Sequence, residues 1–351
     1  MTEAILERLS TEPTPLIDQN TATFVWRGRK APLLVGDFSG WDEGNPIELA
    51  KRGPNLWVYS MDFPPDAYIE YGFIKGKESL DDPHNPRRTS NGFGGYNHYF
   101  SMPEYKPNEL IKNYNHIAHG TIRRFNLSNE YFITGSQRKI YLYKPPTNEK
   151  VPLVVVWDGQ DYLKRAKLNF VVDNLLAEKR LKPIAMAFVC NGGSKSRMSE
   201  YACNDATLDF LMTGVIPLAT RELNLLDIDR HPGEFGILGA SMGGLMAAYT
   251  GARFPNVFGR VISQSGAFTW NEFDTVVFDL FTRSAYHGLR IWLDVGIYDL
   301  IGLLEANRKM RDLLMKRKYQ PTYREFPAGH NYPAWRDDVW RGLEALYGTD
   351  R

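Results

Sequence analysis

The stretch Gly239-Ala240-Ser241-Met242-Gly243-Gly244 indicates the fold of this chain more clearly than any other. It follows an apolar run at residues 235–238 and precedes residues 245–249, whose composition favours a helix. A strand, a tight Gly-x-Ser-x-Gly turn and a helix hold a serine hydroxyl at the tip of a sheet on strained backbone. The residues flanking such a turn must be small, and here they are Gly239 and Gly243. This context favours Ser241 as a nucleophile over a serine in an ordinary structural turn.

The composition is that of a globular chain without a strong charge. Among 351 residues, 42 Lys and Arg against 41 Asp and Glu give a net charge of +1. This balance offers no general argument for binding nucleic acid or an anionic membrane surface. Hydrophobic residues make up 43% of the chain, enough for a sizeable core, and the length suggests roughly two domains.

The sequence predicts a cytoplasmic protein with no membrane partner. The first 20 residues are polar and lack the basic and apolar regions of a secretory signal. No apolar run approaches the roughly 20 residues of a spanning helix. Cys190 and Cys203 are expected as free thiols, and the alternative is a single bridge in an exported chain. The oligomeric state stays open.

Changes in composition divide the chain into four segments. Residues 1–20 form a polar lead, and residues 104–125 form a linker. Residues 21–103 alternate short aromatic and β-branched runs with Gly, Pro, Asn and Asp, which is typical of a small all-β, immunoglobulin-like sandwich. In residues 126–351, apolar strands alternate with helical patterns. This segment is predicted to form a doubly wound, mostly parallel α/β sheet.

A nucleophilic serine needs a base, usually histidine, that a carboxylate orients. On such a sheet the chain order is serine, acid, histidine, and only His287 and His330 follow Ser241. His330 lies in a loop after a predicted strand at residues 322–326, whereas His287 precedes a strand and should lie at the opposite end of the sheet. His330 is therefore the predicted base, and the alternative is a loop histidine that caps the last helix.

The acid is expected after the strand at residues 290–295. Asp299 lies in the loop that follows this strand and is the predicted acid. Asp294 within the strand and Glu305 on the next helix are the other candidates. For Asp299 a role as helix N-cap competes with the catalytic role.

The oxyanion that develops during acyl transfer needs hydrogen-bond donors. One predicted donor is the backbone N–H of Met242, directly after the nucleophile. The second is the backbone N–H of Gln160, because Asp158, Gly159 and Gln160 end the most apolar strand and Gly159 lets the backbone approach a substrate. The alternative is that Asp158 and Gly159 form only a tight turn.

No metal and no cofactor are predicted. His116 and His119 have a helical spacing, but no third ligand lies near them in the sequence. The chain also lacks a Gly-rich phosphate loop of the dinucleotide or P-loop type.

Together these motifs resemble the enterochelin esterase-like serine esterases, a group of α/β-hydrolases with esterase D, feruloyl esterase and mycolyltransferase relatives. The resemblance rests on residues 156–160, 197–201, 239–244, 254–259, 263–266, 296–299 and 329–335. It implies that Ser241, Asp299 and His330 form a triad. It also implies that the amides of Gln160 and Met242 form the oxyanion hole.

The resemblance further implies that Arg197 and Glu200 line the substrate cleft, with Asp158 and Trp335 as further substrate-binding candidates. For Arg197 and Glu200 the alternative is a salt bridge that pins a loop. Several aromatic residues near the expected cleft would suit an aryl acyl group, or else belong to the core. They are Trp157, Tyr162, Phe268, Trp270, Tyr332 and Trp335.

Residues 21–103 are similar to the early-set β-sandwich modules that precede enterochelin esterases and glycogen-branching enzymes. This similarity rests on residues 35–41, 71–74, 82–86 and 94–97. In glycan-binding versions exposed tryptophans and a lysine grip the sugar. Here Trp41 and Asn97 are present, but Gly72 takes the usual lysine position and the second tryptophan is missing. These differences from the glycan-binding versions favour a module that packs beside the cleft over one that binds glycan. Trp41 is then expected to pack within the protein.

The predicted function is hydrolysis of a small-molecule carboxylic ester through an acyl-enzyme. A siderophore-type trilactone, an aryl ester such as a ferulate and a short acyl ester all stay open as substrates. One alternative is a glycan-binding protein with a degenerate hydrolase domain. Another is acyl transfer to an acceptor other than water, as in the mycolyltransferase relatives.

Overall fold

The computed structural model describes residues 2–92, 94–129, 132–270 and 273–349. Each of the predicted segments 1–20, 21–103 and 126–351 therefore contains at least one residue outside the described ranges. The helices are α1 (Thr2–Arg8), α2 (Gly159–Lys164), α3 (Leu168–Ala177), α4 (Ser194–Glu200), α5 (Asp205–Phe210), α6 (Ile216–Glu222), α7 (Met242–Arg253), α8 (Val276–Arg283), α9 (Leu303–Lys316) and α10 (Tyr332–Tyr347). Within the described ranges, none of the helices has the length and apolar character needed to cross a membrane.

The strands are short in the N-terminal part and mostly buried in the C-terminal part. They are β1 (Leu16–Asp18), β2 (Thr21–Arg27), β3 (Leu33–Gly36), β4 (Ile47–Glu48), β5 (Ala50–Gly53), β6 (Leu56–Asp62), β7 (Tyr68–Lys75), β8 (Glu78–Leu80), β9 (Arg88–Ser90), β10 (Tyr96–Ser101), β11 (Thr121–Ser128), β12 (Gln137–Lys144), β13 (Leu153–Trp157), β14 (Ala185–Val189), β15 (Gly236–Ala240), β16 (Arg260–Gln264), β17 (Thr269–Trp270), β18 (Phe273–Asp274), β19 (Arg290–Tyr298) and β20 (Thr322–Gly329).

Residue packing divides the chain into two compact units. The first unit comprises Met1–Pro107, Gly296–Leu304 and Phe326–Ala334. The second comprises Asn108–Val295, Glu305–Glu325 and Trp335–Arg351. Two segments from the C-terminal part of the sequence therefore belong to the same compact unit as the N-terminal residues. The segments predicted from the sequence are each continuous and do not include this grouping.

The first unit consists of two β-sheets around an apolar core. One sheet has the order β1-β2-β6-β5, and in the other β7 pairs with β3, β8 and β10. Phe24 on β2 and Phe73 and Ile69 on β7 are fully buried in the same core cluster. β7 also pairs in parallel with β20, where Tyr68 lies opposite Ala328. The strand that precedes the predicted base therefore continues the sheet of the first unit.

The second unit contains a mixed sheet with helices between its strands. The order is β11-β12-β14-β13-β15-β16-β19, in which β14, β13, β15, β16 and β19 run parallel. β11 and β12 are antiparallel additions at one edge. Every residue of β13, β14 and β15 is buried, as expected for parallel strands with helices on both faces. The predicted α/β class with a mostly parallel sheet is confirmed.

Candidate active site

The turn at Ser241 is a strained junction between a strand and a helix. β15 ends directly before Ser241, and α7 begins directly after it. Ser241 has φ 58° and ψ −124°, a positive-φ conformation that side chains other than glycine rarely adopt. Its N–H donates to the carbonyl of Gln264 at 2.8 Å, and its carbonyl accepts from the N–H of Ala267 at 3.1 Å. The loop after β16 therefore holds the strained residue in place.

Close packing requires the glycines around this turn. A Cβ on Gly239 would lie 2.3 Å from the carbonyl oxygen of Gly243, and a Cβ on Gly244 would lie 2.7 Å from Oγ of Ser263. Non-bonded atoms at these distances overlap strongly, and close-packed interiors do not absorb such overlap. A larger residue at position 239 would push the strand and the helix apart and would displace Ser241.

A buried carboxylate, Asp158, supports the turn. A Cβ on Gly243 would lie 3.3 Å from Oδ2 of Asp158, so this side chain packs directly against the first turn of α7. Nε of Arg197 lies 2.9 Å from both carboxylate oxygens of Asp158, and Nη2 of the same arginine donates to the carbonyl of Ala240 at 3.2 Å. Arg197 thus links Asp158 to the residue that precedes Ser241.

Arg197 and Glu200 pair with different residues. Arg197 pairs with Asp158, while Glu200 is buried and forms an ion pair with the equally buried Arg138. Glu200 Oε1 also accepts the N–H of Thr134 at 2.8 Å. These contacts fit the alternative in which ion pairs hold loops in place. Arg197 and Glu200 do so through two separate ion pairs and not through a pair with each other.

The two predicted oxyanion donors lie in the first turns of helices, where backbone N–H groups have no partner within the helix. Met242 is the first residue of α7, and Gln160 is the second residue of α2. A Cβ on Gly159 would lie 2.4 Å from the carbonyl carbon of Phe188. Gly159 is therefore required by the packing of α2 on β14, a reason that differs from the substrate approach expected from the sequence.

Asp299 and His330 lie together in the first unit. Nδ1 of His330 lies 2.6 Å from Oδ1 of Asp299, whose side chain is fully buried, whereas that of His330 is 14% exposed. Asp299 Oδ1 also accepts the N–H of Leu300 at 2.8 Å. Because a carboxylate only accepts hydrogen bonds, Nδ1–H of His330 is the donor to an ionised Asp299, and in the neutral imidazole Nε2 is then the acceptor nitrogen.

A close approach between β19 and β20 brings these two side chains into contact. A Cβ on Gly296 would lie 2.2 Å from the carbonyl oxygen of Ala328. Asp299 follows Gly296 by one turn, and its N–H donates to the Gly296 carbonyl at 3.2 Å. The glycine therefore sets the distance between the turn that carries the acid and the turn that carries the base.

The other acids and the other histidine occupy different surroundings. Asp294 is buried in β19 and accepts from Nε1 of Trp292 at 2.8 Å and from Nε2 of Gln264 at 3.1 Å. Burial raises the pKa of the Asp294 carboxyl well above its usual value. Glu305 lies exposed on α9, and His287 lies exposed before β19.

The aromatic candidates fall into two groups. Five of the six are buried: Trp157, Tyr162, Phe268, Tyr332 and Trp335. Trp335 also donates its Nε1–H to Oγ of Ser265 at 3.0 Å. Trp270, in contrast, is 53% exposed, so it is the member of this set with a ring open to a ligand.

The histidine pair considered for a metal has other contacts. Nδ1 of His119 lies 2.9 Å from Oδ2 of Asp173, and its Nε2 lies 2.9 Å from the carbonyl of Tyr114. Cys190 and Cys203 are both free thiols. In the part of the chain that the structure describes, no group of three or more His, Cys, Asp or Glu side chains is arranged to hold a metal ion.

One contact of the base-bearing segment was absent from the sequence prediction. Oδ2 of Asp37, from the turn after β3, accepts from Nδ2 of Asn331, the residue next to His330, at 3.2 Å. Asp37 belongs to residues 35–41, a range that contributed to the sequence analysis only through its similarity to early-set modules. The two residues are 294 positions apart, so no local pattern could have joined them.

Residues 133–346 match the family described as "Putative esterase", which covers more than half of the chain. The chain belongs to this family.

Its relatives include iron(III) enterobactin esterases. The protein from Dickeya dadantii is 28% identical over 233 residues, which cover 61% of this chain and 53% of that protein. The protein from Escherichia coli K12 is 26% identical over 219 residues, covering 60% of this chain and 54% of that protein. The similarity thus spans about half the length of these relatives.

Solved structures with the same fold extend over most of the chain. Ferric enterobactin esterase from Salmonella typhimurium matches with a TM-score of 0.77 at 20% identity, covering 95% of both chains. A ferulic acid esterase from Anaeromyces mucronatus matches with a TM-score of 0.57 at 17% identity, covering 68% of this chain and 95% of that one. These similarities show an α/β-hydrolase-like fold.

Proposed function

We propose that this chain is a serine hydrolase that cleaves a carboxylic ester through an acyl-enzyme. The observation that carries the proposal is the 2.6 Å hydrogen bond between Asp299 and His330, in a chain whose Ser241 stands on strained backbone. A histidine held by a buried carboxylate is the base that a serine nucleophile requires. Membership of the esterase family supports the same reaction class.

In the proposed reaction, Oγ of Ser241 attacks the ester carbonyl carbon while Nε2 of His330 removes the hydroxyl proton. The same proton then passes to the leaving alcohol, which leaves the acyl group on Ser241. Water attacks the acyl-enzyme in the second half, again with His330 as base. Asp299 holds the tautomer and stabilises the imidazolium. The N–H groups of Met242 and Gln160 stabilise the oxyanion.

Ser241 and Asp299 each follow the carboxyl end of a parallel strand. β15, β16 and β19 are parallel, Ser241 follows the end of β15, and Asp299 follows the end of β19. The carboxyl ends of parallel strands meet at one edge of a sheet, where α/β proteins place their active sites. The proposal requires Ser241 Oγ within hydrogen-bond distance of His330 Nε2 in the working enzyme.

For the substrate, we propose a small-molecule ester with an aryl group. The names of the relatives point to an iron(III) enterobactin, and the exposed ring of Trp270 offers a surface for such a group. Asp158 and Arg197 would hold the turn of Ser241 in place, because both side chains contact residues of this turn. Glu200 and the buried Trp335 would shape its walls through packing.

We also propose that residues 21–103 form an early-set sandwich that packs and does not bind glycan. Nε1 of Trp41 donates to Oδ1 of Asp37 at 2.8 Å, and Nδ2 of Asn97 donates to Oε2 of Glu70 at 2.8 Å. Side chains engaged with internal carboxylates are not presented to a sugar. The ranges 1–20, 104–125 and 126–351 remain our proposal for the lead, linker and catalytic domain.

The test compares the wild type with Ser241→Ala on p-nitrophenyl acetate, a feruloyl ester and a catecholate trilactone. Loss of the nucleophile is expected to lower kcat by a factor of about 10⁴ or more. Ser199→Ala is the control, because the Ser199 hydroxyl donates only a local bond to the carbonyl of Ser196 at 3.0 Å. Equal turnover by the wild type and Ser241→Ala would remove the proposed function.

A further inference from the structure

Asp37 is a buried carboxylate that receives three hydrogen bonds. The residue is 2% exposed and begins the short helical turn Asp37–Ser39 after β3. Its Oδ1 accepts Nε1–H of Trp41 at 2.8 Å. Its Oδ2 accepts the N–H of Glu70 at 2.8 Å and Nδ2–H of Asn331 at 3.2 Å. Three donors from separate parts of the chain fix the direction of this carboxylate.

Asn331 carries this constraint to the backbone beside His330. While its Nδ2 donates to Asp37, its Oδ1 accepts the N–H of Ala334 at 3.0 Å and so caps α10. The side-chain amide is therefore held at both ends, and its orientation is set by two different partners. The residue that follows His330 cannot shift without breaking one of these bonds.

The residue that precedes His330 packs against the same carboxylate. A Cβ on Gly329 would lie 2.0 Å from Cγ of Asp37, so the two groups are in direct contact. Asp37 therefore contacts both neighbours of His330 in the chain. With the bond from Nδ1 to Asp299, the imidazole is constrained at its ring and at both sides of its backbone.

A buried carboxylate at position 37 destabilises the fold, because burial removes the charged group from water. Burial raises the pKa of the Asp37 carboxyl well above its usual value, and the nearby carboxylate of Glu70 adds to the rise. An apolar residue of similar volume would fill the space without this cost. Only a directional acceptor, however, can orient the Asn331 amide.

We propose that Asp37 is a positioning residue that holds the His330 segment in its working orientation, an inference that rests on the proposed ester hydrolysis. It acts through Asn331 and Gly329 and does not contact the substrate. A displacement of about 1 Å at a catalytic group can cost on the order of a hundredfold in rate.

The experiment measures kcat, KM and melting temperature for Asp37→Ala and Asn331→Ser with p-nitrophenyl acetate. Serine can still cap α10 but is too short to reach Asp37, so this variant isolates the link even where Asp37→Ala folds poorly. Both variants are expected to lose kcat by about ten- to a hundredfold with KM changed less than threefold. A second readout is the downfield proton resonance of the bond between His330 Nδ1 and Asp299, which is expected to shift or broaden.

Asp82→Ala is the matched control. Asp82 is equally buried in the first unit and accepts hydrogen bonds from Thr14, Tyr71 and the N–H of His84. It should lower the melting temperature to a similar degree but leave kcat and the His330 resonance unchanged.

The two proposals can fail separately. If Ser241→Ala is inactive while folded Asn331→Ser keeps wild-type kcat and an unmoved resonance, the role of Asp37 is wrong and the esterase proposal stands. An equal loss of kcat in Asp82→Ala would also overturn it, because the effect would then follow stability alone. If Ser241→Ala keeps full activity, the proposed function fails, and the resonance still tests the positioning by Asp37.

Discussion

At the scale of the single residue, Ser241 adopts a backbone conformation that destabilises the fold. Its φ of 58° and ψ of −124° are costly for any residue with a Cβ, yet β15, α7 and the loop after β16 hold it there. Such strain is worth about 1–3 kcal/mol and persists only where surrounding structure enforces it. The packing around Ser241, and not the preference of the residue itself, therefore fixes this conformation.

Ser241→Gly is therefore expected to be more stable than Ser241→Ala by about 1 kcal/mol, because glycine adopts this conformation without steric cost. Urea unfolding of the two variants measures the difference. At Ser199, within α4, the order should be reversed, with alanine more stable than glycine by about 1 kcal/mol. An alanine variant at 241 as stable as the glycine variant would contradict the strain.

Among the elements that the structure describes, the β17–β18 hairpin carries two exposed aromatic rings and follows the loop that contacts Ser241. Trp270 pairs with Phe273 across the hairpin, and they are 53% and 78% exposed. The chain reaches Trp270 three residues after Ala267, whose N–H is bonded to the Ser241 carbonyl. Consecutive Cα atoms are about 3.8 Å apart, so Trp270 lies within roughly 11 Å of Ala267.

Replacing Trp270 and Phe273 together by alanine is expected to raise KM for a feruloyl ester by about two- to tenfold per ring. KM for p-nitrophenyl acetate, whose acyl group is a single acetyl, should change less, and kcat should hold for both esters. Tyr96→Ala is the control, because Tyr96 is an aromatic residue of the first unit that is 69% exposed. This variant should leave KM unchanged for both esters. A KM that rises equally for both esters would argue against selection of the acyl group by the hairpin.

At the scale of the whole chain, segments that are far apart in the sequence belong to the same compact unit. The segments Gly296–Leu304 and Phe326–Ala334, which contain Asp299 and His330, belong to the compact unit formed by Met1–Pro107. β20 pairs with β7 of this unit, and Asp37 contacts the residues on both sides of His330. The N-terminal residues are therefore part of the structure that holds the Asp–His pair.

A shortened chain of residues 108–351 is expected to aggregate or to melt well below the full chain, because the two segments lose the sheet and core on which they pack. Circular dichroism and esterase assays check this, and activity should not exceed that of Ser241→Ala. Removal of residues 1–4 is the control, because Glu3 and Ala4 are exposed and Ile5, which packs against the core, is kept. A folded, fully active 108–351 chain would show that the Asp–His pair does not depend on the N-terminal residues.

Much of this architecture follows from patterns among neighbouring residues. The small residues around Ser241, the continuous apolar runs of the parallel strands and the alternating strands and helices predicted an α/β sheet with a strained serine turn, because turn chemistry and periodicity are local properties. The same patterns placed Asp299 and His330 in loops after strands.

The partners of these residues depended on packing between distant parts of the chain. The alternative for Arg197 and Glu200 was a salt bridge that pins a loop, and in the folded chain they pair with Asp158 and Arg138, respectively. The contact of Asp37 with Asn331 arises because the sheet of the first unit includes both β3 and β20. Local periodicity predicts which elements form, whereas packing of many side chains at once selects which distant residues meet.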